Sequence, residues 1–142
     1  MRILAATDGS RAGDAAVRFA SNLLGRARNG ELVVLTVESH PAPPAPAVPR
    51  ANGGTPKTSA GNALRGRPSA TRYVIAHARH ADEVPEVISR EADRIRADMI
   101  VVGSEGRDSL EEWVVGGTAL RLIYVARRPV TVVRAPRKRT VR

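Results

Sequence analysis

Residues Gly103 to Thr118 read GSEGRDSLEEWVVGGT and directly follow the apolar run Met99 to Val102. A short β-branched run that stops at a glycine, with more glycines and then a helical pattern behind it, predicts a strand leading through a loop to a helix N-terminus. Glycines let the main chain turn with positive φ and approach an anion. A helix starting near Thr118 adds free N–H groups and a positive dipole end. The stretch therefore predicts an anion-binding loop, although such glycines can also serve turn geometry alone.

The glycine spacing in this stretch is G-x2-G-x9-G, which matches neither the P-loop nor the Rossmann fingerprint. It resembles the nucleotide loop of the universal stress protein family, in which the last glycine is followed by Ser or Thr. Two more blocks resemble that family. Ile3 to Ser10 (ILAATDGS) is similar to its first strand and D-G-S turn, and Arg128 to Arg134 (RPVTVVR) is similar to its last strand. The resemblance covers residues 1 to 38 and 72 to 135.

The resemblance implies an open α/β fold of the Rossmann-like, adenine nucleotide alpha hydrolase-like type. Five parallel strands in the order 3-2-1-4-5 would carry helices on both faces. Ligands of such sheets bind beyond the carboxyl ends of the strands where the winding reverses, here between strands one and four. Asp8 and Gly103 end those two strands. ATP, with Mg²⁺ as a possible companion, would then bind to Ala6, Thr7, Asp8, Val37, Gly103, Ser104, Gly106, Arg107, Gly116, Gly117 and Thr118.

Two residues depart from the family pattern at this loop. Gly117 stands where the family has Ser or Thr, so one hydroxyl is missing unless Thr118 supplies it. Glu105 stands where His is common, and a carboxylate beside phosphates is repulsive unless a metal or Arg107 offsets it. These departures leave open a member of the family that binds no nucleotide.

Several of these side chains also have a plain structural interpretation. Asp8 can bond its own backbone in a turn, Val37 can be simple core, and Arg107 can lie on a solvated loop face. Trp113, between the glycines, is expected to pack against apolar neighbours rather than stack on adenine. Glu111 and Glu112 have no neighbouring nucleophile and are expected to lie on a solvated face.

The composition is that of a single strongly basic domain. The chain has 142 residues, with 23 Lys and Arg against 14 Asp and Glu and a net charge of +9. Such a field attracts polyanions, from ATP to nucleic acid. With 3% aromatic residues the chain lacks the stacking platform of single-strand binders, and an arginine-rich solvated surface explains the charge equally well. Nucleic acid is therefore not the favoured partner.

The order of elements predicts one domain over residues 1–135, followed by a basic tail, 136–142. Strands are expected at residues 2–7, 32–37, 73–78, 98–102 and 130–133. Helices are expected from Ala12 to Asn29-Gly30, from Asp82 to Ile95 and from Thr118 to Ala126, with Ser10 capping the first. Phe19 and Ile123 are placed on the core faces of the first and third helices. Residues 39–70 are rich in proline and glycine and predict a flexible insertion.

The sequence contains no recognisable group of catalytic or metal-ligating residues. It has no cysteine, and His40, His77 and His80 lack the spacing of metal ligands. No Ser/His/Asp group stands out, so we expect no enzymatic activity beyond slow ATP hydrolysis. We see no secretory leader and no run long enough to span a membrane, and we expect a cytoplasmic protein.

The sequence therefore predicts an ATP-binding regulatory protein of the stress response. The family commonly dimerises through its fifth strand, so a homodimer through Val130–Val133 is expected as well. The alternatives are a dimeric interaction module of the same fold without nucleotide, or a polyanion binder acting through the basic insertion and tail.

Overall fold

A computed structural model describes residues 1–39, 70–105 and 115–136. The predicted insertion and tail thus lie outside the described residues, apart from Ser39, Ala70 and Pro136 at their ends. The elements are β1 (Arg2–Ala6), α1 (Arg11–Leu24), β2 (Glu31–Ser39), β3 (Ala70–Ala78), a 3-10 turn (Ala81–Glu83), α2 (Val84–Arg94), β4 (Met99–Gly103), α3 (Gly117–Val125) and β5 (Val130–Val133).

The five strands form one parallel sheet in the order β3-β2-β1-β4-β5, which confirms the predicted fold. β1 lies at its centre, and Ala6 aligns with Leu35 of β2 and with Val102 of β4. The winding direction reverses between β1 and β4. The carboxyl ends of these two strands therefore meet at one point of the sheet edge, where ligands of open α/β sheets bind.

Two apolar cores lie on the two faces of the sheet. On one face, α1 packs against alternate residues of the central strands, including Ile3, Val34 and Val101. On the other face, α2 and α3 pack against Leu4, Leu35 and their neighbours. The central strands read as continuous apolar runs because both of their faces are buried.

The first helix begins as predicted but ends earlier. The Ser10 side chain accepts a hydrogen bond from the N–H of Gly13 at 3.1 Å, so Ser10 is the N-cap. The helix ends at Leu24 with Gly25 as its C-cap, and Asn29, at a φ of 59°, belongs to the turn before β2. The prediction that it runs to Asn29-Gly30 is therefore wrong.

The core faces of two helices also differ from the prediction at one residue each. Phe19 is 41% exposed and Ile123 is 51% exposed. Half of the buried residues of α1 are alanines, whose small side chains let the helix lie close to the sheet. Phe19 lies outside this contact between helix and sheet. In α3 only Ala119 and Leu122 are buried, because the helix touches the rest of the domain along a narrow line.

An ion pair links the two helices that share a face. Arg121 of α3 contacts Glu86 of α2 at 2.6 Å. The hydrogen bond from Arg121 lowers the pKa of Glu86 below its ordinary value, with a smaller effect from the backbone N–H of Glu86 itself. Within the described ranges, no helix combines the length and hydrophobicity needed to cross a membrane.

Candidate functional site

A cavity of about 400 Å³ lies where the carboxyl ends of β1 and β4 meet. Parallel pairing of Ala6 with Val102 places the residues after β1 beside those after β4. Nine of the eleven predicted site residues line this cavity, and Gly106 and Arg107 lie outside the described residues. The nine are Ala6, Thr7, Asp8, Val37, Gly103, Ser104, Gly116, Gly117 and Thr118.

The turn after β1 is held by its own side chains. The hydroxyl of Thr7 accepts a hydrogen bond from the N–H of Gly9 at 3.1 Å, and Oδ1 of Asp8 accepts one from the N–H of Ser10 at 2.9 Å. Gly9 has a φ of 80°, a conformation that glycine adopts without strain. The structural role considered for Asp8 is therefore present, and Asp8 also lines the cavity.

Gly103 is required by packing rather than by a turn. A Cβ at this position would lie 2.5 Å from the carbonyl carbon of Ala12 and 2.7 Å from the backbone nitrogen of Gly13. β4 therefore ends in direct contact with the first turn of α1. Among the described glycines the positive φ belongs to Gly9, so the expectation that Gly103, Gly116 and Gly117 supply positive-φ turns is wrong.

Gly13, which the sequence did not single out, supports the same wall of the cavity. A Cβ there would lie 2.5 Å from the hydroxyl oxygen of Thr7. A glycine inside a helical pattern indicates close packing at that position, and Gly13 lies inside the pattern of α1. The first turn of α1 is thus fitted closely against the ends of both β1 and β4.

The N-terminus of α3 opens toward the cavity. Gly116 is its N-cap and contributes no side chain, and the first hydrogen bond within the helix runs from the N–H of Leu120 to the carbonyl of Gly116. The N–H groups of the preceding turn have no partner within the helix. A Cβ on Gly117 would meet no described atom within 4 Å at the position where the family pattern has Ser or Thr.

Ser104 lines this cavity and has a buried hydroxyl. The residue is 4% exposed, and its backbone is fixed because its N–H donates to Val133 at 2.8 Å and its carbonyl accepts from Gly116 at 2.6 Å. Its Oγ has no hydrogen-bond partner among the described residues. A buried polar atom without a partner costs about 1–3 kcal/mol, and the Ser104 Oγ has almost no solvent-accessible surface.

The described part of the cavity wall is acidic, although the chain as a whole is basic. Its described lining contains two carboxylates, Asp8 and Glu105, and no Lys, Arg or His. Glu105 is half-buried, and its backbone carbonyl accepts a hydrogen bond from the Ser10 hydroxyl at 3.4 Å. The described part of this wall therefore offers an anion N–H groups and hydroxyls, with two carboxylates nearby.

The other end of the cavity is apolar. β2 supplies Leu35 and Val37 together with the polar Ser39, the 3-10 turn supplies Ala81, and α2 supplies Val84 and Ile88. The sequence predicts a helix from Asp82 to Ile95, but nothing in its periodicity shows that Val84 and Ile88 border a cavity. The pocket thus combines an apolar end with a polar end rich in backbone donors.

The remaining candidates lie elsewhere. Glu111, Glu112, Trp113 and His40 fall outside the described residues. His77 lies on β3, with its Nδ1 3.8 Å from a carboxylate oxygen of Glu38. In the part of the chain that the structure describes, no group of three or more His, Cys, Asp or Glu side chains is arranged to hold a metal ion.

The fold and the cavity define the class: an open α/β domain with a ligand-sized cavity at the reversal point of its sheet. The family model described as "Universal stress protein family" matches residues 1–134. The chain therefore belongs to the universal stress protein family. No curated protein gives a significant sequence match.

Solved structures share this fold at low sequence identity. UspA from Lactobacillus plantarum is 22% identical with a TM-score of 0.70, over 94% of this chain and 97% of that chain. A universal stress protein in complex with cAMP is 18% identical with a TM-score of 0.65, over 96% and 98%. The universal stress protein from Archaeoglobus fulgidus in complex with dAMP is 23% identical with a TM-score of 0.57, over 94% and 97%.

Proposed function

We propose that this protein binds an adenine nucleotide in the cavity between β1 and β4 and acts as a regulatory protein rather than as an enzyme. The observation that carries the proposal is the N-terminus of α3, where Gly116, Gly117 and Thr118 line the cavity and no side chain caps the helix. This group suits an anion, because helix N-termini combine free N–H groups with a positive dipole end. Two proteins that share the fold are complexes with cAMP and dAMP, which are adenine nucleotides.

The two ends of the cavity suit the two ends of a nucleotide. The adenine ring would occupy the apolar end between Val37 and Ile88, and the phosphate would lie at Ser104 and the first turn of α3. Asp8, between them, would contact the ribose. This arrangement follows the general form of small-molecule sites, in which apolar walls bury the ligand and a few polar groups orient it.

Magnesium would be needed chiefly for ATP. Asp8 and Glu105 both face the cavity, and carboxylate oxygens are suitable ligands for Mg²⁺. The described residues do not form a metal cage of their own, so the ion would be shared with the phosphates. It would neutralise the charge between the polyphosphate and the two carboxylates, and any hydrolysis is expected to be slow.

Thermal unfolding tests the proposal directly. A ligand at about one hundred times its dissociation constant stabilises the folded state by about 2.7 kcal/mol. For a domain of this size that corresponds to a rise in Tm of roughly 5–10 °C. We expect this rise with AMP, cAMP or ATP plus Mg²⁺, measured by differential scanning fluorimetry, and not with matched concentrations of sodium phosphate.

A truncated chain separates site binding from general attraction of polyanions. Removing residues 137–142 deletes the cationic groups Arg137, Lys138, Arg139 and Arg142 and keeps every described lining residue of the cavity. We expect the shift to persist in this chain. A shift that disappears with the tail, or that falls steeply with salt, would favour polyanion binding instead.

The second candidate function is that of a dimeric interaction module. The observation that favours it is the position of β5 at the edge of the sheet. β5 lies at the sheet edge, and the N–H groups of Ile100 and Ser104 donate to Pro129 and Val133. In a parallel ladder the N–H groups of Val130 and Val132 must then face outward. Leu120, Ile123 and Tyr124 also expose large apolar surface on α3. Such an edge can pair with a second copy of the chain.

Sedimentation velocity tests this dimer. We expect a dimer at tens of micromolar protein and a monomer for Val132→Pro, because proline removes an outward donor and leaves the β4–β5 ladder intact. Val133→Pro is the matched control. It removes a donor that faces β4 and should lower stability instead. A wild-type monomer at these concentrations would refute the dimer through β5.

A further inference from the structure

Exposed arginines collect at the end of the sheet where its strands begin. In a parallel sheet whose strands are linked through helices, each turn from a helix into a strand lies at this amino end, opposite the cavity. Three such turns are described: residues 25–30 before β2, 95–98 before β4 and 126–129 before β5. They carry the exposed side chains of Arg26, Arg28, Arg96 and Arg127. We call these four residues the arginine surface.

The three turns are neighbours because their strands are neighbours. β1 alone lies between β2 and β4, and β4 pairs directly with β5. With about 4.8 Å between paired strands, the starts of β2 and β5 lie roughly 14 Å apart. The arginine surface is therefore a short row of cations whose bases are fixed by the sheet.

The carboxylates at the amino end are engaged by other groups. Glu31 binds Arg2 and Arg72, Glu91 binds Arg94, Asp93 binds Arg128, and Asp98 accepts a hydrogen bond from the N–H of Arg2. The members of the arginine surface belong to none of the ion pairs in the described part of the chain. Their positive charge is therefore not neutralised by these carboxylates.

Helix C-termini do not account for the arginine surface. Three helices end here, each equivalent to about half a negative charge that is felt within the last turn. The last turns of α1 and α3 contain no basic residue, since Arg26, Arg28 and Arg127 follow the helices. Arg96 has a φ of 54°, at which glycine would be free of strain. An arginine at a position that favours glycine points to a use for its side chain.

The sequence of the undescribed residues does not offset this charge. Residues 40–69, which enter β3 at the amino end, contain no Asp or Glu, and neither do residues 137–142. The acidic residues outside the described ranges all fall within residues 106–114. That segment connects Glu105 to Val115 and Gly116, beside the cavity at the opposite end of the sheet. The amino end is therefore the positive end of the domain.

We propose that the arginine surface binds the phosphodiester backbone of a nucleic-acid duplex, without reading its base sequence and independently of the cavity. A guanidinium group donates two parallel hydrogen bonds to a phosphate, and the described cations include arginine but no lysine. Single strands are bound by several stacked aromatic rings. Here one exposed ring, that of Tyr124, lies next to these turns in the sequence. The surface thus suits backbone contacts, which position a duplex but do not specify its sequence.

An anionic bilayer is the alternative partner. A bilayer attracts cations according to their number, and stable attachment adds an apolar or lipid anchor. The turns 25–30, 95–98 and 126–129 expose no large apolar side chain. A row of guanidinium groups on a rigid sheet is better matched to the regular phosphate spacing of a duplex.

Fluorescence anisotropy of the full chain tests the proposal with a labelled DNA duplex of about 20 base pairs and the same duplex in RNA, titrated at several KCl concentrations. The surface variant replaces all four arginines: Arg26→Gln, Arg28→Gln, Arg96→Gln and Arg127→Gln. Each phosphate contact contributes about −0.9 to the slope of log affinity against log salt. We expect this slope to become shallower by about 3–4 in the surface variant, with binding at least about tenfold weaker at low salt.

Four other exposed arginines provide a control with the same net charge. The control variant carries Arg18→Gln, Arg79→Gln, Arg90→Gln and Arg134→Gln, which lie in the middle of α1 and α2 and after β3 and β5. Its slope should stay within about 1 of the wild-type slope. Equal losses in the two variants would assign binding to the total charge of the chain and would overturn the proposal.

Arg96→Gly separates lost contacts from a damaged fold. Glycine adopts the φ of 54° without strain, so urea unfolding should show stability at least equal to that of the wild type. The salt slope should still become shallower by about 1. Unchanged duplex binding would contradict the proposal, because the turn before β4 lies in the middle of the arginine surface.

The remaining outcomes concern the class of partner. Absence of binding to both duplexes at low salt would refute the proposal. Vesicles of phosphatidylcholine and phosphatidylserine that bind the wild type but not the surface variant, while neither duplex binds, would assign the arginine surface to a bilayer instead. A loss of duplex binding confined to the surface variant and Arg96→Gly would support the proposal. The titrations contain no free nucleotide, so their result does not depend on the cavity.

Discussion

Gly103→Val is expected to lower the free energy of unfolding by about 3 kcal/mol or more, which corresponds to a fall in Tm of roughly 10 °C. The cause is steric. The first added carbon would lie 2.5 Å from the carbonyl carbon of Ala12 and 2.7 Å from the nitrogen of Gly13, and both are backbone atoms that cannot rotate away. Either β4 or the first turn of α1 must shift, and both belong to the buried core.

Gly117→Ala is the matched control for this prediction. A Cβ at Gly117 meets nothing within 4 Å, and the residue is the first of α3. Alanine favours a helix by up to about 1 kcal/mol over glycine, so this variant should be as stable as the wild type or slightly more stable. Urea unfolding followed by circular dichroism measures both. Equal stability of Gly103→Val and the wild type would refute the close approach of β4 to α1.

The fold was largely predictable from the sequence, because its signals are local and repeated. Continuous apolar runs such as residues 32–35 identify strands buried on both faces, and their alternation with helical patterns predicts a parallel sheet. The strand order came from the resemblance to the family. The end of α1 was not predictable in the same way, since Asn29 and Gly30 look like a helix stop but form the turn into β2.

The candidate site was predictable in position and less so in physical detail. Asp8 and Gly103 lie at the carboxyl ends of two predicted strands. The carboxyl ends of parallel strands lie at the same edge of the sheet, so the two residues are expected at that edge. The reason for a glycine at 103 depends on the backbone of α1 packed against it, which no local pattern reveals. The apolar contribution of Ala81, Val84 and Ile88 likewise depends on how α2 sits over β2.

The charge of the described cavity wall was likewise not predictable from the sequence. The sequence displays a basic chain and a glutamate at position 105, and either could dominate the site. The structure brings Asp8 and Glu105 to one cavity wall, where no cationic side chain joins them among the described lining residues. Net charge therefore predicts the long-range attraction of anions, but it does not predict the charge of the described cavity wall.

Gly117→Asp is expected to change stability and nucleotide affinity in opposite directions. The fold should be at least as stable as the wild type, because the side chain enters open space and a carboxylate in the first turn of a helix contributes about 0.3–1 kcal/mol. The same carboxylate would occupy the place proposed for the phosphate and repel it. We expect affinity for AMP to fall about 30-fold or more, equivalent to about 2 kcal/mol.

Gly117→Ser supplies the contrast at the same position. It restores the hydroxyl of the family pattern without adding charge, and one further hydrogen bond to a phosphate should tighten AMP binding about fivefold, near 1 kcal/mol. Calorimetric titration and urea unfolding of both variants separate binding from folding. If Gly117→Asp binds AMP as well as the wild type does, the phosphate does not lie at the N-terminus of α3. If its affinity falls only together with its stability, the loss reflects a damaged fold rather than a blocked anion site.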